Sequence, residues 1–367
     1  MEHILDHYRN LAEGHAINCK SARPALIGID KHVAASLLQK AIRRSETELA
    51  LLAASRLLDL EPARFWRRLI TTLFEDVGIA DRALALTVLA AAPNKTYRRP
   101  SWPIIANLVQ GLCDAPKTQI ANHLIHLAQF DPDEFGPMDV FDCLSFSQAA
   151  GWIERDHATL VQKCRAAWLL SGLETYRRGK PAPHPNCDLE RLLEALENQL
   201  GSIELAVLAR VGIRHTRNPL PLAAVLETRD SSVRHTPDQT LGQADGMPRT
   251  GSIGGVPNWV FDQHTRVGKK ALALATSDCK SVREALSGII GVSAKQRCLS
   301  SAHFEFEGAR LANRLQKPEH LEAWRRVQTV GAYRSSKNAQ ALYEALETDW
   351  GCFEEIRSSM ICEAHFG

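Results

Sequence analysis

The chain has 367 residues, room for two or three packed units at about 100–200 residues each, and its 45% apolar and 23% charged residues exclude a disordered or fibrous chain. Lys and Arg exceed Asp and Glu by only 44 to 42, so no overall field steers the molecule onto nucleic acid and any such surface has to be local. The nine cysteines contain no CxxC and read as reduced, mostly buried thiols. MEHILDHYRN lacks the pattern of a leader, and no stretch approaches the roughly 20 apolar residues of a membrane span, so the expected compartment is the cytoplasm, with no membrane contact.

From Asp30 to about Gln129 the sequence predicts consecutive helices with apolar residues at three- and four-residue spacing. Asp30 caps a helix bearing Val33, Leu37, Leu38, Ala41 and Ile42. Ser45 and Glu48 have the spacing of a capping box for a second helix. Pro62 suits the first turn of a third, which carries Phe65, Trp66, Leu69, Ile70, Leu73 and Phe74 and stops at Gly78. Asp81 opens RALALTVLAAA, Pro93 closes it before the basic turn NKTYRRPSWP, and another helix follows from about Ile104. Pro116 restarts the chain into KTQIANHLIHLAQF, and DPDEFGPMD is a turn-rich break.

Residues 141–176 are again helical in pattern, and RRGKPAPHPNCD is a Pro-rich connection. Asp188 begins an amphipathic helix with Leu189, Leu192, Leu193, Leu196 and Leu200 on one face, either core or a partner-facing surface. Residues 218–257 are rich in Pro, Gly, Ser, Thr and Asp and read as a long loop. NWVFDQHTRVGKKALALATSD, HFEFEGARLANRL and KNAQALYEALETDW read as further short helices, and no stretch alternates convincingly enough for a sheet. The expected architecture is all-α: an extension over 1–29, a helical unit over 30–135, a helical extension over 136–217, the loop over 218–257 and a C-terminal helical unit over 258–367.

Three segments of the first unit, LLQKAIRRSETELALLAASRLLD (Leu37–Asp59), RFWRRLITTLFEDVGIADRALAL (Arg64–Leu86) and LCDAPKTQIANHL (Leu112–Leu124), resemble the C-terminal helical region of the MgsA/RarA replication-associated recombination AAA+ ATPases, relatives of Werner-helicase-interacting protein. The match runs in order over about 100 of the 367 residues. The resemblance implies a collar-like oligomerising module, a tetramer in that family, and a role beside DNA replication and recombination. Phe74 stands where the family has serine before Glu75, and Thr118-Gln119 where it has Ser-Asn. The chain contains no GxxxxGK[ST] phosphate loop, so ATP hydrolysis by this chain itself is not expected and any AAA+ ATPase partner acts in trans.

Among chemistry-bearing residues, Glu75, Asp76 and Asp81 around Gly78 suit helix capping and ion pairing with Arg43, Arg44 or Arg82 better than a cation site. His123 and His126 share a helix face but have no evident third ligand, so no metal is expected. The most site-like stretch is GGVPNWVFDQHTRVGKKAL, Gly254–Leu272, which gathers Trp259, Asp262, His264, Arg266, Lys269 and Lys270 after the loop. Read as one helix, Asp262 and Arg266 share a face with the lysines, and Trp259 offers a stacking platform for a nucleotide. The plainer reading is a surface helix with Trp259 in the core. Arg214 and Arg217 belong to the same basic stretch, 210–270, which holds nine Arg or Lys (Arg210, Arg214, Arg217, Arg229, Arg234, Arg249, Arg266, Lys269, Lys270) against five acids (Glu227, Asp230, Asp238, Asp245, Asp262).

The expectation is a non-enzymatic helical oligomerising scaffold that contacts nucleic acid or phosphate through these residues and needs no cofactor. One rival is an enzyme on a phosphorylated substrate, with His264 as acid or base and Asp262 orienting it. The other is a protein adaptor that recruits an ATPase through the leucine face after Asp188 or the collar surface.

Overall fold

The computed structural model describes residues 1–17, 22–25, 28–94, 100–131, 144–173, 187–233, 240–241, 246–329 and 338–366. The fold is all-α. Among the described residues the strands are two-residue pairs, Thr240–Leu241 with Leu315–Gln316 and Ser252–Ile253 with Val256–Pro257, both antiparallel. No helix among them is long and apolar enough to cross a membrane.

Two compact units form, each from three stretches of chain. The first comprises Met1–Pro24, Pro62–Gly242 and Asn313–Val330, the second Ala25–Glu61, Gln243–Ala312 and Gly331–Gly367. The linear division expected from the sequence does not describe this arrangement. The Lys31–Arg43 and Thr47–Leu60 helices, which open the family-like region, belong to the second unit, and the Pro318–Thr329 helix returns to the first. Interleaving of this kind is set by pairing between residues far apart in sequence, which local periodicity does not report.

Local rules account well for the helix starts. The Asp30 carboxylate accepts from His32 N at 2.7 Å and Val33 N at 3.0 Å, Asp81 from Leu84 N at 2.9 Å, and Asp188 from Arg191 N at 3.1 Å. The Pro62–Thr72 helix buries Phe65, Leu69 and Ile70 and runs into a π-helical turn, Leu73–Val77, which ends at Gly78. Gly78 has φ +77, and a Cβ there would lie 2.4 Å from the Thr118 methyl, so glycine is required on both counts. Lys117, fully buried, donates from Nζ to the Cys113 carbonyl at 2.6 Å and the Ala115 carbonyl at 3.0 Å, closing the end of the Trp102–Asp114 helix.

Several expectations are corrected. Ser45 does not occupy the cap position: it stands in the turn with φ +58, and the next helix starts at Thr47 with Glu46 at its cap position, where the Glu46 side chain makes no capping bond. The helix expected from about Ile104 is present and runs Trp102–Asp114, with Pro103 in its first turn. The stretch expected as a loop over 218–257 contains the Leu220–Val233 helix, whose residues Leu222, Ala223, Val225 and Leu226 are buried on all sides and so show no single apolar face. HFEFEGARLANRL is not a helix of its own: the Val292–His303 helix runs into a π-helical turn, Phe304–Gly308, and irregular chain follows. The leucines after Asp188 are core, since Leu192, Leu193, Leu196 and Leu200 are all buried in the first unit. The turns expected around 95–99 and 132–143 and the Pro-rich segment 177–186 lie outside the described residues, as does Arg234.

Candidate functional site

The segment singled out from sequence, Asn258–Lys270, lies in the second unit and is not one helix. Asn258–Val260 forms a 3-10 turn, the chain bends through Asp262, and the α-helix begins at Arg266 and runs to Asp278. Thr265 caps it: its hydroxyl oxygen accepts from Gly268 N at 3.1 Å while donating to the Asp262 carbonyl at 3.0 Å. The bend is pressed onto the first helical turn, where a Cβ on Gly268 would lie 2.1 Å from the Asp262 carbonyl oxygen. That close approach is open to glycine alone.

The bend is hung on the Lys31–Arg43 helix by buried polar bonds. Lys40 Nζ lies 3.0 Å from Asp262 Oδ2, the two side chains 4% and 3% exposed, and it also donates to the Trp259 carbonyl. Ser36 Oγ donates to the Val260 carbonyl at 2.7 Å, and Asp262 Oδ1 accepts from the His264 amide at 2.8 Å. Burial alone would raise the Asp262 carboxyl, but the Lys40 charge, His264 and these hydrogen bonds hold it below the usual range. On Lys40 burial wins and lowers the ammonium despite Asp262. The two partners thus shift by opposite logic. The charged pair is the arrangement that fits, because a neutral Lys40 would leave a buried carboxylate uncompensated.

Arg44 links this bend to a second buried set. Arg357 makes a bidentate pair with Glu307, 2.7 Å and 2.9 Å, both side chains fully buried, and Arg357 also bonds Glu354. Although burial opposes its charge, the Arg357 guanidinium together with His303 keeps the Glu307 carboxyl well below the ordinary carboxylate range. His303 Nε2 sits 3.3 Å from Glu307 Oε2, within ion-pair distance but off a hydrogen-bond axis, so neither ring nitrogen has a hydrogen-bond partner among the described residues. The ring packs against Phe353 at 4.9 Å and stacks on Trp350 at 6.2 Å. Arg44 lies over Trp259 at 4.6 Å and donates to the Glu307 carbonyl at 3.1 Å; Arg43 donates to the Gly308 carbonyl at 2.7 Å.

These contacts sort the expected site residues. Trp259 is 4% exposed and covered by Arg44, so it is no stacking platform for a base. Asp262 and Arg266 do not share a helix face, since Asp262 precedes the helix and its carboxylate serves Lys40 and the His264 amide. His264, Arg266, Lys269 and Lys270 are exposed together, the last three in the first turns of the helix. Arg214 and Arg217 are exposed at the end of the Ile203–Thr216 helix of the first unit, where Arg217 adopts φ +57 as the C-cap. Arg210 is drawn into pairs with Glu190 and Glu197, the latter at 2.9 Å.

The other candidates have structural work. Asp76 is buried and accepts from Gln119 Nε2 at 3.3 Å, while Asp81 caps its helix. His123 is buried and the His126 ring packs on Phe130; among the described residues no three His, Cys, Asp or Glu form a metal-binding group.

Sequence reasoning missed the partnerships of Lys40, Glu307 and Arg357, and a buried chain in the first unit. There Thr118 Oγ1 lies 3.0 Å from His320 Nδ1, and His320 Nε2 lies 2.8 Å from Glu227 Oε1, which Lys317 also approaches at 3.3 Å. The order suggests nucleophile, base and acid, but all three residues are buried and Thr118 Oγ1 already accepts from Ile120 N at 3.2 Å. Together they tie the Leu220–Val233 and Pro318–Thr329 helices to the residues just before the Ile120–Phe130 helix. Comparison of the chain with protein-family models, with curated proteins and with solved structures finds no match.

Proposed function

We propose that the protein is a non-enzymatic helical scaffold that self-associates and contacts the phosphates of a nucleic acid through Arg266, Lys269 and Lys270, with His264 beside them. The observation that carries this reading is where the cations sit. They occupy the first turns of the Arg266–Asp278 helix, whose first turn holds no acidic residue. Arg266, the first helical residue, opposes the helix dipole, which favours negative charge at an N-terminus by about 0.3–1 kcal/mol per group and falls off within the first turn. Stability therefore gives no reason for the placement, whereas an anionic ligand is attracted by both the cations and the dipole. The bend beneath them is rigidly anchored through Lys40, Asp262 and Gly268.

The same geometry speaks for a binding face over an acid–base site, because Asp262 bonds the His264 backbone amide and is committed to Lys40. Self-association, tetrameric as the family-like segments imply, and a role in DNA replication or recombination beside an ATPase acting in trans, rest on the resemblance alone. The test is fluorescence anisotropy with labelled single- and double-stranded DNA. Wild-type protein binds, more tightly at low than at moderate salt, and Arg266→Glu with Lys269→Glu weakens binding at least tenfold while leaving the helical circular-dichroism spectrum intact. Equal binding by the variant removes this face from the proposal. Absence of binding by the wild type leaves an adaptor.

A further inference from the structure

The second unit holds two thiols in direct contact. Cys279 Sγ and Cys352 Sγ are 2.9 Å apart, and both cysteines are unpaired covalently. Cys279 is fully buried at the junction where the Arg266–Asp278 helix ends and the Lys280–Ala285 helix begins, while Cys352 is half-buried in the first turn of the Trp350–Phe366 helix. Their approach is built rather than incidental. Asp349, just before Trp350, accepts from Ser281 Oγ at 3.0 Å and from Val282 N at 3.0 Å, so its carboxylate caps the short helix and pins the two segments together beside the thiols. The Leu286, Leu299, Leu346 and Phe353 core surrounds the junction.

We propose that Cys279 and Cys352 form a reversible dithiol–disulfide pair that locks the junction after the cation-bearing helix to the C-terminal helix, the oxidant being a small disulfide of the glutathione type. Cys352, the more exposed, meets the oxidant first. Its thiolate attacks one sulfur of the small disulfide, forms a mixed disulfide and releases one thiolate, which takes up a proton. Cys279 then gives up its proton, attacks the Cys352 sulfur and expels the second thiol. Two protein thiols are oxidised and one small disulfide is reduced to two thiols. Burial and the neighbouring Cys352 push the Cys279 thiol up, so it is a poor first nucleophile and serves as the resolving group. The partners are 73 positions apart in the chain, so closure constrains a long loop of the unfolded state.

The test uses the full chain carrying Cys187→Ser and Cys362→Ser, which removes the thiols that are exposed among the described residues. It is incubated with glutathione disulfide, alkylated, digested and analysed by mass spectrometry. The expected product is a Cys279–Cys352 cross-linked peptide lighter by two hydrogens, lost on adding dithiothreitol and absent from Cys352→Ala. The unfolding midpoint of the oxidised protein should rise by roughly 5–10 °C. Recovery of both cysteines alkylated, a glutathione adduct on Cys352 that never resolves, or a cross-link from Cys279 to another cysteine overturns the proposal. The cross-link is read directly from the serine-substituted chain, so a poorly folded Cys352→Ala protein does not affect the outcome.

Discussion

Lys40 and Asp262, 3.0 Å apart and nearly inaccessible, show what a buried charge commits a protein to. Replacing Lys40 with Met leaves Asp262 charged in the interior, and loss of one member of such a pair costs about 3–5 kcal/mol. Urea unfolding should show that loss for Lys40→Met. Lys40→Met with Asp262→Asn should recover most of it, because Asn can still accept from the His264 amide; a double variant as unstable as the single one would show that the anchor lies elsewhere. Glu307 and Asp262 both have carboxyls held below their ordinary values. Depressed carboxyls contribute stability that is complete above the unfolded values, about 4, and lost as pH falls from there through the folded values. Unfolding free energy should therefore drop steeply below about pH 4, and Glu307→Gln should lower stability near neutrality while flattening that acid limb. An acid limb of unchanged slope would deny Glu307 its role.

At the scale of the element, the bend before the Arg266–Asp278 helix makes the sharpest prediction. Alanine normally stabilises a helix over glycine by about 1 kcal/mol, yet Gly268→Ala should destabilise the protein, since its Cβ would meet the Asp262 backbone at 2.1 Å. A thermal midpoint that rises instead would refute the packed bend. Asp81→Ala removes an ordinary cap and should cost about 1 kcal/mol in the same assay. The sequence made Asp30, Asp81, Asp188, Pro62 and Gly78 legible because a cap or stop is a local event, satisfied within a turn or two. Ser45 was misread because its spacing to Glu48 is right while its backbone has turned left-handed. The Leu220–Val233 helix was hidden because its described part is buried all round, which erases the apolar stripe. Of the site, the exposed cations Arg266, Lys269 and Lys270 were legible by composition. The burial of Trp259 and the Lys40–Asp262 pair were not, since their partners stand more than 200 positions away in the chain.

For the whole molecule, the segments that carry the family resemblance are divided between the two units, and the residues quoted for them are largely structural. Lys40, Arg43, Lys117 and Gly78 each hold backbone or pack against it. Under the proposed scaffold function, assembly would fall to other surface, and nucleic-acid contact to the cations Arg266, Lys269 and Lys270 of the second unit. With an overall charge of only +2, binding through so few cations should depend weakly on salt, with a slope of log affinity against log salt near −2 to −3 for about three phosphate contacts on duplex DNA. A far steeper slope would require a larger basic face assembled from several subunits. The most direct measurement is analytical ultracentrifugation of the purified chain, alone and with labelled single- and double-stranded DNA at low and moderate salt. The scaffold account predicts a discrete closed oligomer that co-sediments with DNA at low salt and releases it when Arg266 and Lys269 are reversed to Glu. A monomer that leaves the DNA free at every salt concentration would contradict it.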